Sequence, residues 1–233
     1  MEITIIHGQG HKGSTYHISK MVAAGIATED AIMHEFFMPL DTPPYCIGCY
    51  KCICEGEQHC PHADKVQPIV KAMERSQLII IDSPTYCLEM TGQLKTLFDH
   101  LAYMWVSHRP NAAMFSKVGI VISTAAGAGA KKVAKTLSKQ LFWLGIAKTY
   151  SITKNVNASS WREVPEKIKQ EIEVSVDKTA VKVKHKLQAL TINIKMKFIF
   201  KVMSQMQKSN DWNMIDKKHW EKNGWLKKCR PWR

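Results

Sequence analysis

The chain has 233 residues, of which 45% are apolar, and this composition supplies a full core without disulfide bridges. Five of its seven cysteines lie between Cys46 and Cys60, unlike the dispersed cysteines of a small secreted scaffold, and the first residues show no signal-peptide pattern. The formal charge of +13 is concentrated in residues 191–233, where 11 Lys and Arg stand against 3 Asp and Glu. We therefore expect a cytoplasmic, globular protein without a transmembrane segment.

Strand-like runs alternate with helical periodicity along the chain. The strand-like runs occupy residues 2–6, 31–37, 78–82, 118–123 and 147–153. The helical segments occupy residues 14–27, 66–75, 92–105, 131–145 and 163–190, and Pro68 is expected in the first turn of its helix. This order predicts an α/β fold with a five-stranded parallel sheet, helices on both faces and the flavodoxin-like strand order 2-1-3-4-5.

The chain divides by composition into two parts. We expect a flavodoxin-like domain over residues 1–190 and a helical, basic, Trp-rich extension over residues 191–233. The extension can lie on an anionic membrane, pack across a subunit or cover the mouth of a ligand site. No zinc-finger, helix-turn-helix or RNA-binding pattern lies in the first part, so no nucleic-acid partner is expected.

Three loops follow the first, third and fourth predicted strands, and ligands of doubly wound sheets bind at these strand ends. The first, HGQGHKGST, has glycines that let amides converge on an anion, hydroxyls at Ser14 and Thr15, and a helix N-terminus behind them. An ordinary glycine-rich turn with Ser14 as the helix N-cap would have the same pattern.

The second and third loops suit a flat ligand. In the second, Pro84 stiffens the turn and Tyr86 offers an aromatic face. The alternative is a rim turn in which Tyr86 and Cys87 are packed as filler, with Cys87 buried. The third, STAAGAGA at residues 123–130, has small residues whose backbone can contact a planar ring.

These three motifs, with GQLKTLFDH behind the second, together resemble the flavodoxin-like NAD(P)H-dependent FMN reductases over roughly residues 1–150. The resemblance implies that FMN phosphate is bound by the first loop, at His11, Lys12, Gly13, Ser14 and Thr15. It implies that the ring is bordered by the other two loops, at Pro84, Thr85, Tyr86, Ser123, Thr124, Ala126 and Gly127. The chain departs from the family pattern at Gly10-His11 and at Asp99-His100, where Pro-Arg and Asp-Arg are usual.

The cysteine segment, residues 44–62, has the spacing Cys46-x2-Cys49-x2-Cys52-x7-Cys60 and looks like that of the iron–sulfur flavoprotein branch of this family. The resemblance implies a [4Fe–4S] cluster on these four thiolates, with Cys54 left over. Structural zinc bound with His59 or His62, a disulfide, and a sulfur-rich loop without metal are the alternatives.

The function predicted from the resemblance is an FMN-dependent oxidoreductase. It would take hydride from NADH or NADPH and reduce a quinone, a nitro or azo compound, a flavin or an iron–sulfur acceptor, and it would be a homo-oligomer. The flavin carries the chemistry, so no catalytic side chain is assigned. The first alternative is an FMN and [4Fe–4S] electron carrier without nicotinamide turnover, and the second is a zinc-stabilised nucleic-acid-binding module.

Overall fold

The computed structural model describes residues 1–232 and contains one five-stranded sheet. Its strands are β1 (Glu2–His7), β2 (Ile32–Phe37), β3 (Leu78–Pro84), β4 (Val118–Ala125) and β5 (Lys148–Asn155). All pairings are parallel and the order is β2-β1-β3-β4-β5, which confirms the predicted fold.

Eight α-helices accompany the sheet in residues 1–232. They are α1 (Ser14–Ile26), α2 (Lys51–Cys54), α3 (Ala63–Arg75), α4 (Gly92–His100), α5 (Ala130–Trp143), α6 (Glu166–Gln188), α7 (Ile194–Lys208) and α8 (Met214–Lys222). Short 3₁₀ turns lie at Glu57–His59, Ala102–Met104, Ala112–Ser116 and Trp161–Glu163.

Several helix boundaries differ from the prediction, and the differences at α3 and α4 have a structural cause. Helix α3 begins at Ala63, so Pro68 lies in its second turn and not in its first. The helix buries Val66, Ile69 and Val70, which lie on both sides of the proline. This apolar burial outweighs the one backbone hydrogen bond that the proline cannot form. Helix α4 ends at His100 because the Leu101 N–H is shared between two carbonyls and the following turn tightens to 3₁₀.

The sheet is covered on both faces. One core lies between the sheet and α3, α4 and α5, and the other between the sheet and α1 and α6. Every residue of β4 is buried, as expected for the centre of a parallel sheet, and its run Val118–Ala125 is apolar enough to be buried on both faces.

The extension forms α7 and α8 and packs on the same side as α5. Its core contains Phe200, Trp220 and Trp225, with the Phe200 and Trp220 rings 4.8 Å apart, and it includes Phe115 from the 3₁₀ turn before β4. The division of the chain at residue 190 into two domains stays a prediction. No helix in residues 1–232 is both long and apolar enough to cross a membrane.

A buried ion pair connects the extension to the cysteine segment. Arg109 Nη1 donates to Asp216 Oδ1 at 2.5 Å, and His108 Nδ1 lies 2.7 Å from Asp216 Oδ2. The same guanidinium donates to the carbonyls of Cys52 and Ile53, and Asn213 Nδ2 also donates to the Ile53 carbonyl, at 3.1 Å. Helix α2 is therefore held in place by α8.

Replacing Asp216 with alanine should destabilise the protein by about 3–5 kcal/mol, because it leaves the buried Arg109 guanidinium without its carboxylate. Asp211→Ala is the matched control: Asp211 is 88% exposed and pairs with Lys217 at 3.1 Å, so its loss should cost about 1 kcal/mol or less. Urea unfolding of both variants measures the difference, and equal losses would contradict a structural role for the buried pair.

Candidate functional site

A cavity of about 210 Å³ opens at the carboxyl edge of the sheet, where the three loops meet. Most of the residues predicted for the site line it: His11, Gly13, Ser14 and Thr15 from the first loop, Pro84, Thr85 and Tyr86 from the second, and Thr124 and Ala126 from the third. Residues about 110 positions apart in the sequence therefore border one space.

Three of the predicted residues do not line this cavity. Lys12 is exposed, and its Nζ lies 5.5 Å from the centre of the Tyr16 ring. Ser123 is buried under the rim, with its Oγ 3.2 Å from Thr85 Oγ1. Gly127 is exposed, and a side chain there would meet no atom within 4 Å.

The first loop presents the uncapped N-terminus of α1 to the cavity. The N-cap is Gly13, not Ser14, and no side chain accepts a hydrogen bond from the first turn. That turn also contains no acidic residue, so its free amides and positive helix end are available to an anion. This geometry corrects the alternative in which Ser14 caps the helix.

The second loop is a tight turn. Tyr86 and Glu89 exchange two backbone hydrogen bonds, while Cys87 and Leu88 have φ of 50° and 63°. Gly129, with φ of 103°, packs against it, and a Cβ there would lie 2.7 Å from Thr85 Cγ2. Because the turn points outwards, Cys87 is exposed, and its interpretation as a buried filler is wrong.

A fourth segment, missed by the sequence analysis, completes the cavity wall. Val156, Ala158 and Ser159 line the cavity directly after β5. The N–H of Val156 donates to the Ala125 carbonyl at 2.8 Å, which continues the pairing of β4 and β5 beyond the sheet edge. The sequence signal was the capping box formed by Ser160 and Glu163.

A buried polar network that the sequence analysis did not identify lies at the end of β1, directly before the first loop. His7 Nδ1 lies 2.5 Å from Asp82 Oδ2, which also accepts a hydrogen bond from Ser19 at 2.6 Å. On the other side, His7 Nε2 lies 3.3 Å from Glu35 Oε2, and Lys20 donates to Glu35 at 2.5 Å. Partial burial alone would raise the pKa of Glu35, but Lys20 and His7 together hold it below its ordinary value.

Three cysteines of the cysteine segment lie near the half-buried thiol of a fourth, Cys52. Burial is the largest cause that raises the pKa of Cys52 to about 11; the nearby thiols of Cys60, Cys46 and Cys49 contribute to the rise, and Arg109 opposes it. Cys54 is exposed and does not contribute to this shift. The other three cysteines of the predicted set thus act electrostatically on Cys52, and the assignment of the four as metal ligands stays a prediction.

His100 ties the two ends of this segment together. Its Nδ1 lies 3.7 Å from Cys60 Sγ, and its Nε2 donates to the Pro44 carbonyl at 2.8 Å. The His62 ring packs edge-on against the His100 ring, and His62 Nε2 is buried without a hydrogen-bond partner in residues 1–232.

Within residues 1–232, no three His, Cys, Asp or Glu side chains are arranged to hold a single metal ion.

The family model for NADPH-dependent FMN reductases matches residues 1–161. The chain belongs to this family. The match includes all three loops and the cysteine segment, and it stops before α6 and the extension.

Two curated relatives of this FMN reductase family member are iron–sulfur flavoproteins. One, from Archaeoglobus fulgidus, is 34% identical over 103 residues, which is 44% of each chain. The other, from Methanocaldococcus jannaschii, is 37% identical over 89 residues, 38% of this chain and 45% of the relative. The aligned residues thus span less than half of either relative.

Solved structures share the fold of this family member. An FMN-dependent NADH-azoreductase from Bacillus anthracis, in complex with FMN, superposes with a TM-score of 0.60 at 12% identity and covers 79% of this chain and 100% of its own. An NAD(P)H:quinone oxidoreductase from Methanothermobacter marburgensis has a TM-score of 0.61 at 11% identity, covering 79% and 98%.

The low pKa of Glu35 predicts a pH effect on stability. A carboxylate with a lowered folded pKa contributes stability above its unfolded pKa, about 4.3, and this is lost as the pH falls through the folded pKa. Between about pH 6 and pH 3, the wild type should therefore lose more stability than Glu35→Gln. The urea midpoint of unfolding, measured at several pH values across this range, tests the prediction. Glu29→Gln, in an exposed turn, is the control and should follow the wild type. The prediction is contradicted if the urea midpoints of wild type and Glu35→Gln fall equally with pH.

Proposed function

We propose that the protein is an FMN-dependent oxidoreductase that takes hydride from NAD(P)H and passes the electrons to a quinone, a nitro or azo compound, a flavin or an iron–sulfur acceptor. The observation that carries this proposal is the single cavity bordered by all three loops. Membership of the FMN reductase family supports the cofactor, and the names of the similar structures make quinones and azo compounds the first acceptors to test.

The residues at the cavity fit a flavin mononucleotide. The free amides at the start of α1, with His11, Lys12, Gly13, Ser14 and Thr15 around them, would hold its one terminal phosphate. Pro84, Thr85 and Tyr86, with Thr124 and Ala126, would border its ring. Gly127 would lie beside Ala126 outside the cavity lining, and Ser123 would support Thr85 from below. When bound, FMN supplies the hydride chemistry, whereas the protein binds and orients it.

The open side of the cavity leaves room for a second molecule. Tyr86, Ala126 and Gly127 are exposed, so the part of the site assigned to the ring faces solvent. The extension contributes no residue to the cavity lining, so it does not cover this mouth. A nicotinamide or an acceptor can therefore approach the ring directly.

An anaerobic titration separates the proposed reductase from an electron carrier. Protein reconstituted with FMN should lose its oxidised flavin absorbance when NADH or NADPH is added, and an added quinone or azo dye should restore it. If neither nucleotide bleaches the flavin while a reduced one-electron donor does, the carrier function is favoured instead.

The phosphate assignment is tested by removing hydroxyl donors. The double variant Ser14→Ala with Thr15→Ala should bind FMN at least tenfold more weakly. The reason is that each hydrogen bond to a charged phosphate contributes about 1.5–3 kcal/mol. Ser175→Ala with Thr179→Ala on α6 is the matched control, since those hydroxyls only bond to carbonyls of their own helix. Fluorescence titration with FMN gives both affinities, and equal values would place the phosphate elsewhere.

For the cysteine segment, we propose a [4Fe–4S] cluster held by Cys46, Cys49, Cys52 and Cys60. The thiols of Cys46, Cys49 and Cys60 lie close enough to Cys52 to affect its pKa, which supports the set, as do the iron–sulfur flavoprotein relatives.

Arg109 is the positioning residue of this proposed cluster site. Its guanidinium donates to the Cys52 and Ile53 carbonyls and lowers the electrostatic cost of a thiolate at Cys52. Since the side chain is buried and paired with Asp216, its orientation is fixed before any metal binds.

Serine variants of the five cysteines test the ligand set. Iron should be depleted by serine at each proposed ligand: Cys46→Ser, Cys49→Ser, Cys52→Ser and Cys60→Ser. Cys54→Ser should keep its iron, because Cys54 is not among the thiols that act on Cys52. Iron and sulfide assays on anaerobically purified protein measure this. If none of the five substitutions changes the iron content, or if the wild type contains no iron, the segment is a sulfur-rich loop without a cluster.

We also propose a homo-oligomer. The cysteine segment exposes large apolar side chains at Tyr45, Ile47 and Tyr50, and Leu40 is exposed shortly before it. Such a patch is typical of an interface with another chain.

A further inference from the structure

Helix α7 carries a row of exposed apolar side chains. Ile194, Phe198, Val202 and Met206 follow each other at intervals of four residues and therefore share one side of the helix. Ile194 is 85% exposed, Phe198 62% and Met206 58%. We name these four residues the α7 row.

The opposite side of α7 is already used by the fold. Met196, Phe200, Ser204 and Gln207 are buried against the body of the protein. Ser204 Oγ donates to the Trp225 carbonyl at 2.8 Å, and Gln207 Nε2 donates to the Ser107 carbonyl at 2.8 Å. The helix is thus docked on one side, and the α7 row is a second apolar surface that the extension leaves in water.

A groove of about 750 Å³ runs between α5 and α7 beside this row. Its walls include Phe142, Trp143 and Ile199. Four lysines surround these apolar walls: Lys132, Lys135, Lys139 and Lys195. The groove therefore offers an apolar interior with a cationic rim.

A second cationic pocket of about 310 Å³ contains Lys197, Lys201, Arg230 and Trp232. Lys197 and Lys201 are one turn apart and lie on the flank of the α7 row that is turned away from Lys195 and Ile199. Within residues 1–232, neither lysine forms an ion pair with a carboxylate, and the same holds for Lys135, Lys139 and Lys195. The cationic charge on both flanks is thus available to an external anion.

We propose that this face of the protein, the α7 row with its two flanking cationic pockets, binds the surface of an anionic lipid bilayer. A helix whose apolar residues point outwards between unpaired cations has the composition of an interfacial membrane-binding helix. The apolar row would enter the headgroup boundary, while the lysines and Arg230 would contact lipid phosphates. The groove beside it has the apolar walls and cationic rim that suit part of an anionic lipid.

Charge argues against a second copy of the chain on this face. The extension carries 11 Lys and Arg against 3 Asp and Glu, so two copies meeting here would bring like charges together. The row lies between two concave cationic sites, and a fluid bilayer accommodates such a relief without a matching surface.

Vesicle flotation with the 233-residue protein tests the proposal, and it needs neither flavin nor turnover. The wild type should float with vesicles of phosphatidylcholine and phosphatidylglycerol, should not float with pure phosphatidylcholine, and should be released by rising salt. Lys197→Glu with Lys201→Glu should weaken this binding at least about tenfold, as should Phe198→Ser with Met206→Ser.

Matched pairs on α6 control for charge and apolarity alone. Lys178→Glu with Lys182→Glu has the same spacing, and Val174→Ser with Val181→Ser removes two exposed apolar side chains, so both pairs should keep wild-type binding. Circular dichroism confirms that each variant is folded. The proposal is overturned if the wild type binds both kinds of vesicle equally, or if the α6 pairs weaken binding as much as the α7 pairs do. It is also overturned if sedimentation without vesicles shows that Phe198→Ser with Met206→Ser breaks a dimer.

Discussion

The junction between the ends of β1 and β3 sets the geometry of the whole site. The Gly8 N–H donates to the Asp82 carbonyl at 2.7 Å, and Thr91, at the start of α4, donates its hydroxyl to the Gly8 carbonyl at 2.6 Å. A Cβ at Gly8 would lie 2.7 Å from the Asp82 carbonyl oxygen, so this approach requires glycine. Because the first and second loops are fixed to each other here, the anion cradle and the ring border face a common space.

Under this junction, the charged groups are arranged so that none is left unpaired. Asp82 is buried, yet it accepts hydrogen bonds from two side chains, and His7 stacks on Phe37 with ring centres 4.5 Å apart. A buried carboxylate without such partners would cost several kcal/mol. The network therefore makes the end of β1 rigid directly before the loop that needs defined amide directions.

The fold was predictable from the sequence because its signals are local. Buried parallel strands such as β3 and β4 are continuous apolar runs, and the glycine-rich and small-residue loops follow them directly. The segment after β5 and the His7 network were not predicted, because the strand order alone does not show which side chains and loop residues meet across neighbouring strands. Cys87 was misplaced for a related reason: a turn with two positive φ values and no glycine gives no sequence signal that its residues point outwards.

The contacts between α8 and the cysteine segment make the extension and that segment a single thermodynamic unit. Asn213 and the Arg109–Asp216 pair fasten the backbone of α2, so α8 cannot loosen without releasing the carbonyls of Cys52 and Ile53. By linkage, any ligand that binds the ordered segment also protects α8 against local opening. Amide hydrogen exchange in a helix outside the family match would then report on what the cysteines hold.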